Sequence, residues 1–141
     1  MEVLGRHLLV ELFSCDEEVL DNLEKIEALM MVAARASGAT IVQSVFHRFQ
    51  PHGISGVVVI AESHLAIHTW PEHGYAAVDF FTCGADIDYW QAHDLLKEAF
   101  AAGDSEVREL FRGGERDAAG KLGRKNSDLV NSESKKMSRE K

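Results

Sequence analysis

Between residues 39 and 82 the chain offers four strand-like runs, and only a few polar or turn-forming residues separate each from the next. "ATIVQSVFHRF" ends at "QPHG", and residues 56–61 end at "ESH". Residues 65–70 end at "PEHG", and residues 75–82 follow. Connections this short join antiparallel neighbours, because a parallel crossover needs a dozen residues or more. Gly74 suits a positive φ in the last turn. Residues 4–13, "LGRHLLVELF", add a first strand, and "SEVRELF" adds a final one.

Two helices complete the pattern. In "SCDEEVLDNLEKIEALMMVAARASG", Ser14 and Glu17 fit a capping box and Gly38 a C-terminal stop. Val19, Leu23, Ile26, Met30 and Ala33 make one apolar stripe at helical spacing. Asp88 is placed to cap a second helix reaching about Ala102, with Leu95, Leu96, Ala99 and Phe100 as its core face. The order β-α-β-β-β-β-α-β predicts an α+β two-layer sandwich, a largely antiparallel sheet with two helices packed on one face. Two helices leave the other face of the sheet open, and a second copy of the chain is a plausible cover.

Charge divides the chain unevenly. Residues 1–111 hold 6 Lys/Arg and 18 Asp/Glu, a net −12, whereas residues 112–141 hold 9 and 5, a net +4. The acidic body argues against a nucleic-acid partner. From Arg112 large apolar residues nearly vanish, so the expectation is one domain over residues 1–111 and a disordered tail over 112–141. No apolar run reaches membrane-spanning length and the start lacks signal-peptide character, which predicts a cytoplasmic protein with no membrane partner. Cys15 and Cys83 are read as free thiols.

Glu62-Ser63-His64 interrupts the most apolar part of the chain. A serine in a strained turn can attack its own upstream carbonyl and turn the peptide bond into an ester, provided the oxyanion is stabilised. Removal of the serine α-hydrogen then eliminates the ester. The chain is cut after Glu62, and Ser63 becomes dehydroalanine and, on hydrolysis, a pyruvoyl group. Serines in turns are common, so the neighbouring residues must carry this reading.

Those neighbours are "GRHLLVELFSCD", "SGATIV", "FHRFQPHGISGVVVIAESH" and "HTWPEHGYAAVDFFTCG". Together they span roughly residues 4–90, and in order and spacing they closely resemble the bacterial S-adenosylmethionine decarboxylases, the pyruvoyl-dependent enzymes of spermidine synthesis. The resemblance implies scission between Glu62 and Ser63 into fragments 1–62 and 63–141. It implies Ser63 as the pyruvoyl precursor and Schiff-base former, His68 as the processing base, Ser55 as a processing hydroxyl and Cys83 as the proton donor in decarboxylation. It places Phe49 at the adenine ring and Glu72 at the ribose hydroxyls of S-adenosylmethionine, with Trp70 a further candidate for the adenine pocket. The cofactor would be the pyruvoyl group made from Ser63, doing the work of pyridoxal phosphate without pyridoxal phosphate or a metal.

Hairpin arithmetic adds an expectation. Around "PEHG" paired residue numbers sum to 145, so Ser63 opposes Thr82 and Glu62 opposes Cys83. If Glu62-Ser63-His64 closes the preceding hairpin, the sum there is about 125, and Ser55 and His68 lie together roughly 15 Å from Ser63. That is too far for proton transfer. A homodimer of processed pairs, in which Ser55 and His68 serve the neighbour's Ser63, resolves the conflict.

Other readings fit less well. His47, His52, His64, His68 and His73 match no zinc spacing. Ser63, His68 and Asp79 lack the glycine elbow of a hydrolase triad. A binding module gives no reason for Cys83 to oppose the Glu62-Ser63 link. A pyruvoyl-dependent arginine or ornithine decarboxylase of the same fold is the alternative enzyme.

Overall fold

The structure is a computed structural model that describes residues 3–83, 86–114 and 129–131. Its strands are β1 (Gly5–Phe13), β2 (Ile41–Arg48), β3 (Ile54–Ile60), β4 (Ser63–Trp70), β5 (Tyr75–Thr82), β6 (Asp104–Arg112) and β7 (Leu129–Asn131). They form one sheet in the order β2-β3-β4-β5-β1-β6-β7. Every neighbouring pair is antiparallel. The remaining elements are α1 (Glu17–Leu20), α2 (Leu23–Ala36), a 3-10 turn over Pro71–His73, and α3 (Tyr89–Ala99). The expected α+β sandwich is observed. Of the expected tail, residues 115–128 and 132–141 lie outside the described residues, and Leu129–Asn131 pairs with β6.

The period of two explains which face is buried. Leu8, Val10 and Leu12 of β1, Leu65 and Ile67 of β4, and Ala76, Val78 and Phe80 of β5 point to the helices and are at most 3% exposed. They pack with Leu20, Ile26, Met30, Leu96 and Phe100 in one core. Gly56 on β3 is required by packing. A Cβ there would stand 2.0 Å from the ring of Phe46 on β2, so the ring lies directly over the glycine. Gly74 has φ +59 and ends the 3-10 turn, as its place in "PEHG" predicts.

The first helical segment differs from expectation. It breaks at Asp21-Asn22 into α1 and α2, and Asp16, not Ser14, caps α1 by accepting from the amides of Glu18 and Val19. Ser14 has φ +56 and cannot serve as an extended N-cap. Asn22 caps α2 through Lys25 N–H. The break frees Asp21 to accept from Gly53 N–H at 3.0 Å and from Arg48 at 2.8 Å. These bonds, the Gly53 amide first, hold its carboxyl below the usual range and tie α1 to the loop after β2.

Among the described residues no helix lies on the opposite face of the sheet. It carries Val45, Val59 and Trp70, each more than a third exposed, beside Val57, Ala66 and Ala77. Among the described residues no helix is long and apolar enough to cross a membrane.

Candidate active site

The β4–β5 hairpin has the register expected from its turn. Trp70 faces Tyr75, and Ser63 faces Thr82. The β3–β4 hairpin is tighter than expected. Ser63 pairs with Ile60, so Ala61 and Glu62 alone form the turn and paired numbers sum to 123 instead of about 125. Ser63 therefore belongs to the strand, and its backbone shows the cost of so short a connection. Its φ is +146, a region that residues with a Cβ rarely occupy and that costs of order 1–3 kcal/mol.

The Glu62–Ser63 amide is held from both sides. The Glu62 carbonyl oxygen accepts from Cys83 N–H at 3.0 Å and from the Cys83 thiol at 3.3 Å. The Glu62 carboxylate accepts from Thr40 N–H at 3.2 Å, and Ala61 N–H donates to Thr40 C=O at 2.8 Å. Two donors aimed at one carbonyl oxygen are what an oxyanion formed there needs. Strain at Ser63 and polarisation of the carbonyl just before it thus meet at one bond. Beyond the bond, His64 Nε2 is 3.1 Å from Asp79 Oδ1, so the residue after Ser63 is also anchored.

A second cluster forms at the other end of the β3–β4 ladder. Ser55 and His68 are direct cross-strand partners, and Ser55 Oγ lies 2.8 Å from His68 Nδ1. In the tautomer whose Nδ1–H donates to Ser55, His68 Nε2 is free to take a proton. A cavity of about 310 Å³ opens here, lined by Ser55 and His68 together with Phe49, Trp70 and Glu72. All three expected substrate contacts thus join the Ser55–His68 pair. Glu72 lies 3.2 Å from His52, a residue the sequence offers only as a surface histidine. Its carboxyl is held below the usual range, first by its own backbone amide and then by His52. No motif spacing could have flagged His52, because the loop after β2 alone brings it to Glu72.

The two clusters do not meet within one chain. Five ladder positions separate Ser63 from His68, roughly 16 Å along the strand. Ser63, Glu62 and Cys83 form one cluster, and Ser55, His68, Phe49, Trp70 and Glu72 form another. Being an odd number of positions apart, Ser63 and His68 also belong to opposite faces of the sheet, and β4 pairs continuously with β5 from Ser63 to Trp70.

The two thiols differ in kind. Cys15 is 7% exposed and burial pushes its thiol up to about 11, whereas Cys83 is exposed. At pH 7.5 a thiol near 11 is ionised in fewer than about one molecule in a thousand, and only the thiolate attacks. Iodoacetamide is therefore expected to label Cys83 and spare Cys15 in the native protein. Peptide mapping before and after unfolding checks this. Equal labelling of both in the native state would contradict the burial of Cys15.

Comparisons with known proteins converge on one family. The family model described as S-adenosylmethionine decarboxylase matches residues 6–113. S-adenosylmethionine decarboxylase proenzymes of Thermosipho africanus and Thermotoga maritima are 59% and 61% identical over 113 residues, which is 80% of this chain and 87% of each relative. The crystal structure of the adenosylmethionine decarboxylase from Aquifex aeolicus superposes with a TM-score of 0.75 at 34% identity, covering 90% of this chain and 100% of that one. The Trypanosoma brucei AdoMetDC monomer shares the fold at a TM-score of 0.55 and 14% identity, over 74% of this chain and 45% of that one. The chain belongs to the S-adenosylmethionine decarboxylase family.

Proposed function

We propose that the chain is a self-processing decarboxylase of S-adenosylmethionine whose cofactor is made from Ser63 and whose active site is completed by a second copy. The observation that carries this reading is the Glu62–Ser63 link, strained at Ser63 and polarised at its carbonyl by both donors of Cys83. The relatives named above are S-adenosylmethionine decarboxylase proenzymes, and none is named for arginine or ornithine.

Processing begins when Ser63 Oγ attacks the Glu62 carbonyl carbon and the negative charge grows on the oxygen facing Cys83. The C–N bond breaks and the Glu62 acyl group passes from nitrogen to oxygen. This shift relieves the strain at φ +146, because the strained amide no longer exists. His68 then removes the Ser63 α-hydrogen, and the Glu62 carboxylate leaves. Water replaces the resulting enamine nitrogen as ammonia, which leaves a pyruvoyl group on the chain that begins at residue 63.

The residues present fit that group, since the bond that must break is the one the structure strains and polarises. When formed, the pyruvoyl carbonyl supplies an electron sink for the substrate α-carbon. Phe49 and Trp70 offer aromatic faces to the adenine and the sulfonium, and ionised Glu72 offers an acceptor to the ribose hydroxyls. The thiol of Cys83, beside residue 63, delivers the proton that follows loss of CO2. Catalysis also needs the cluster of Ser55 and His68, which a two-fold partner supplies to the neighbour's Ser63.

Intact-mass measurement of purified protein tests the reading. It predicts fragments 1–62 and 63–141, the second lacking a free amine and carrying a carbonyl that reacts with hydrazines. A single unmodified chain that decarboxylates S-adenosylmethionine would overturn it.

Ser55 gives a graded prediction. Its hydroxyl orients His68, and a hydrogen bond to a group that becomes charged is worth about 1.5–3 kcal/mol. Ser55→Ala is expected to slow processing roughly 10- to 100-fold and not to abolish it, as followed by the mass of the uncut chain over time. Unchanged processing would remove Ser55 from the site.

A further inference from the structure

His7 on β1, Asp79 on β5 and His64 on β4 meet on the open face of the sheet, and their ligand atoms all lie within 4.8 Å of one another. The three residues are far apart in sequence. The sheet order places β5 between β4 and β1, and the registers put both His7 and His64 opposite Phe81. The period of two turns Asp79 to the same face. No sequence spacing announces such a set, because each ligand comes from a different strand.

The distances suit an ion. Asp79 Oδ1 is 3.1 Å from His64 Nε2 and 3.4 Å from His7 Nε2. A tetrahedral ion with ligands at about 2.0–2.1 Å has edges of about 3.3 Å. His7 Nε2 is buried and makes no hydrogen bond, although the carboxylate oxygen lies near it. In the tautomer that carries its proton on Nδ1, a lone pair on that nitrogen faces an oxygen lone pair. A cation between them satisfies both. Three adjacent strands of a continuous sheet also hold the donors rigidly.

The geometry points to a binding site for a divalent first-row transition ion, with His7 Nε2, His64 Nε2 and an Asp79 carboxylate oxygen as ligands and at least one position open. Two imidazoles and one carboxylate select zinc, cobalt or nickel over magnesium or calcium, which take oxygen donors. His64 directly follows Ser63, so occupancy ties the segment that follows the scission to β1 and β5.

Metal analysis of the full chain after dialysis against Zn2+ tests the site, with Co2+ as a visible-absorption probe and with metal supplied both to native protein and during refolding. About one equivalent per chain is expected, with a Co2+ spectrum of low coordination number and a rise in Tm on adding metal. His7→Gln, His64→Gln and Asp79→Asn are each expected to weaken binding more than about 10-fold, since even outer-shell losses reach that size. His73→Gln, outside the cluster, should leave the stoichiometry unchanged. Circular dichroism establishes that each variant is folded, and the Tm response to metal separates lost binding from lost structure. The proposal fails if the wild-type chain retains no metal by either route. It fails equally if the three folded variants bind as tightly as the wild type.

Discussion

Ser63→Ala is expected to yield a single uncut chain of 141 residues that releases no CO2 from S-adenosylmethionine above background. In the proposed mechanism the hydroxyl is the nucleophile of processing and the source of the cofactor, so its loss removes both steps at once. The fold should survive, because Ala keeps the Cβ and adds nothing to the β4 ladder. A second variant separates chemistry from strain. Ser63→Gly also lacks the nucleophile, but glycine accepts φ +146 without the steric cost. Relief of about 1–3 kcal/mol is offset by about 0.5–1 kcal/mol of extra chain entropy lost on folding. The Gly variant should therefore exceed the Ala variant by about 1 kcal/mol, a Tm difference of roughly 3 °C. Equal stabilities would mean that the strain at this position is no larger than the entropy term, about 0.5–1 kcal/mol. Processing of the Ala chain would place the nucleophile elsewhere.

How legible all this was depends on which force sets each feature. The register of β4 on β5 was readable because "PEHG" contains a residue, Gly74, whose conformation fixes where the turn lies. The register of β3 on β4 was not, since three polar residues look like a turn and the structure uses only Ala61 and Glu62. Strain at Ser63 is the physical reason for the error. Local propensity places a serine flanked by Glu62 and His64 outside the strand, and the pairing of Ile60 with Ser63 overrides it. The break between α1 and α2 was hidden likewise, because Val19, Leu23 and Ile26 keep helical spacing across it. The capping reach of Asn22 decides there. The proposed site residues come from family motifs. Their partition into two clusters follows from strand geometry, and His52 beside Glu72 from the fold alone.

That partition gives the second large effect. Co-expressed Ser63→Ala and His68→Ala chains are expected to process and decarboxylate, although neither does so alone. In a mixed pair, the His68→Ala chain supplies Ser63 and Cys83, and the Ser63→Ala chain supplies His68 and Ser55. One of the two sites is then complete and the other lacks both groups. Random pairing makes about half of the dimers mixed, so about a quarter of the wild-type sites should form. Cut fragments should carry the His68→Ala sequence only, which mass spectrometry distinguishes. Distance dictates this outcome. A base must come within about 3 Å of the hydrogen it removes, and His68 is held roughly 16 Å from its own Ser63 by an unbroken ladder. Bending β4 enough to close that gap would break its pairing with β3 and β5 together. A second copy that brings its own His68 to this Ser63 closes it with no ladder hydrogen bond lost. If the mixed pairs leave every Ser63 uncut, His68 acts within its own chain, and β4 must distort during processing.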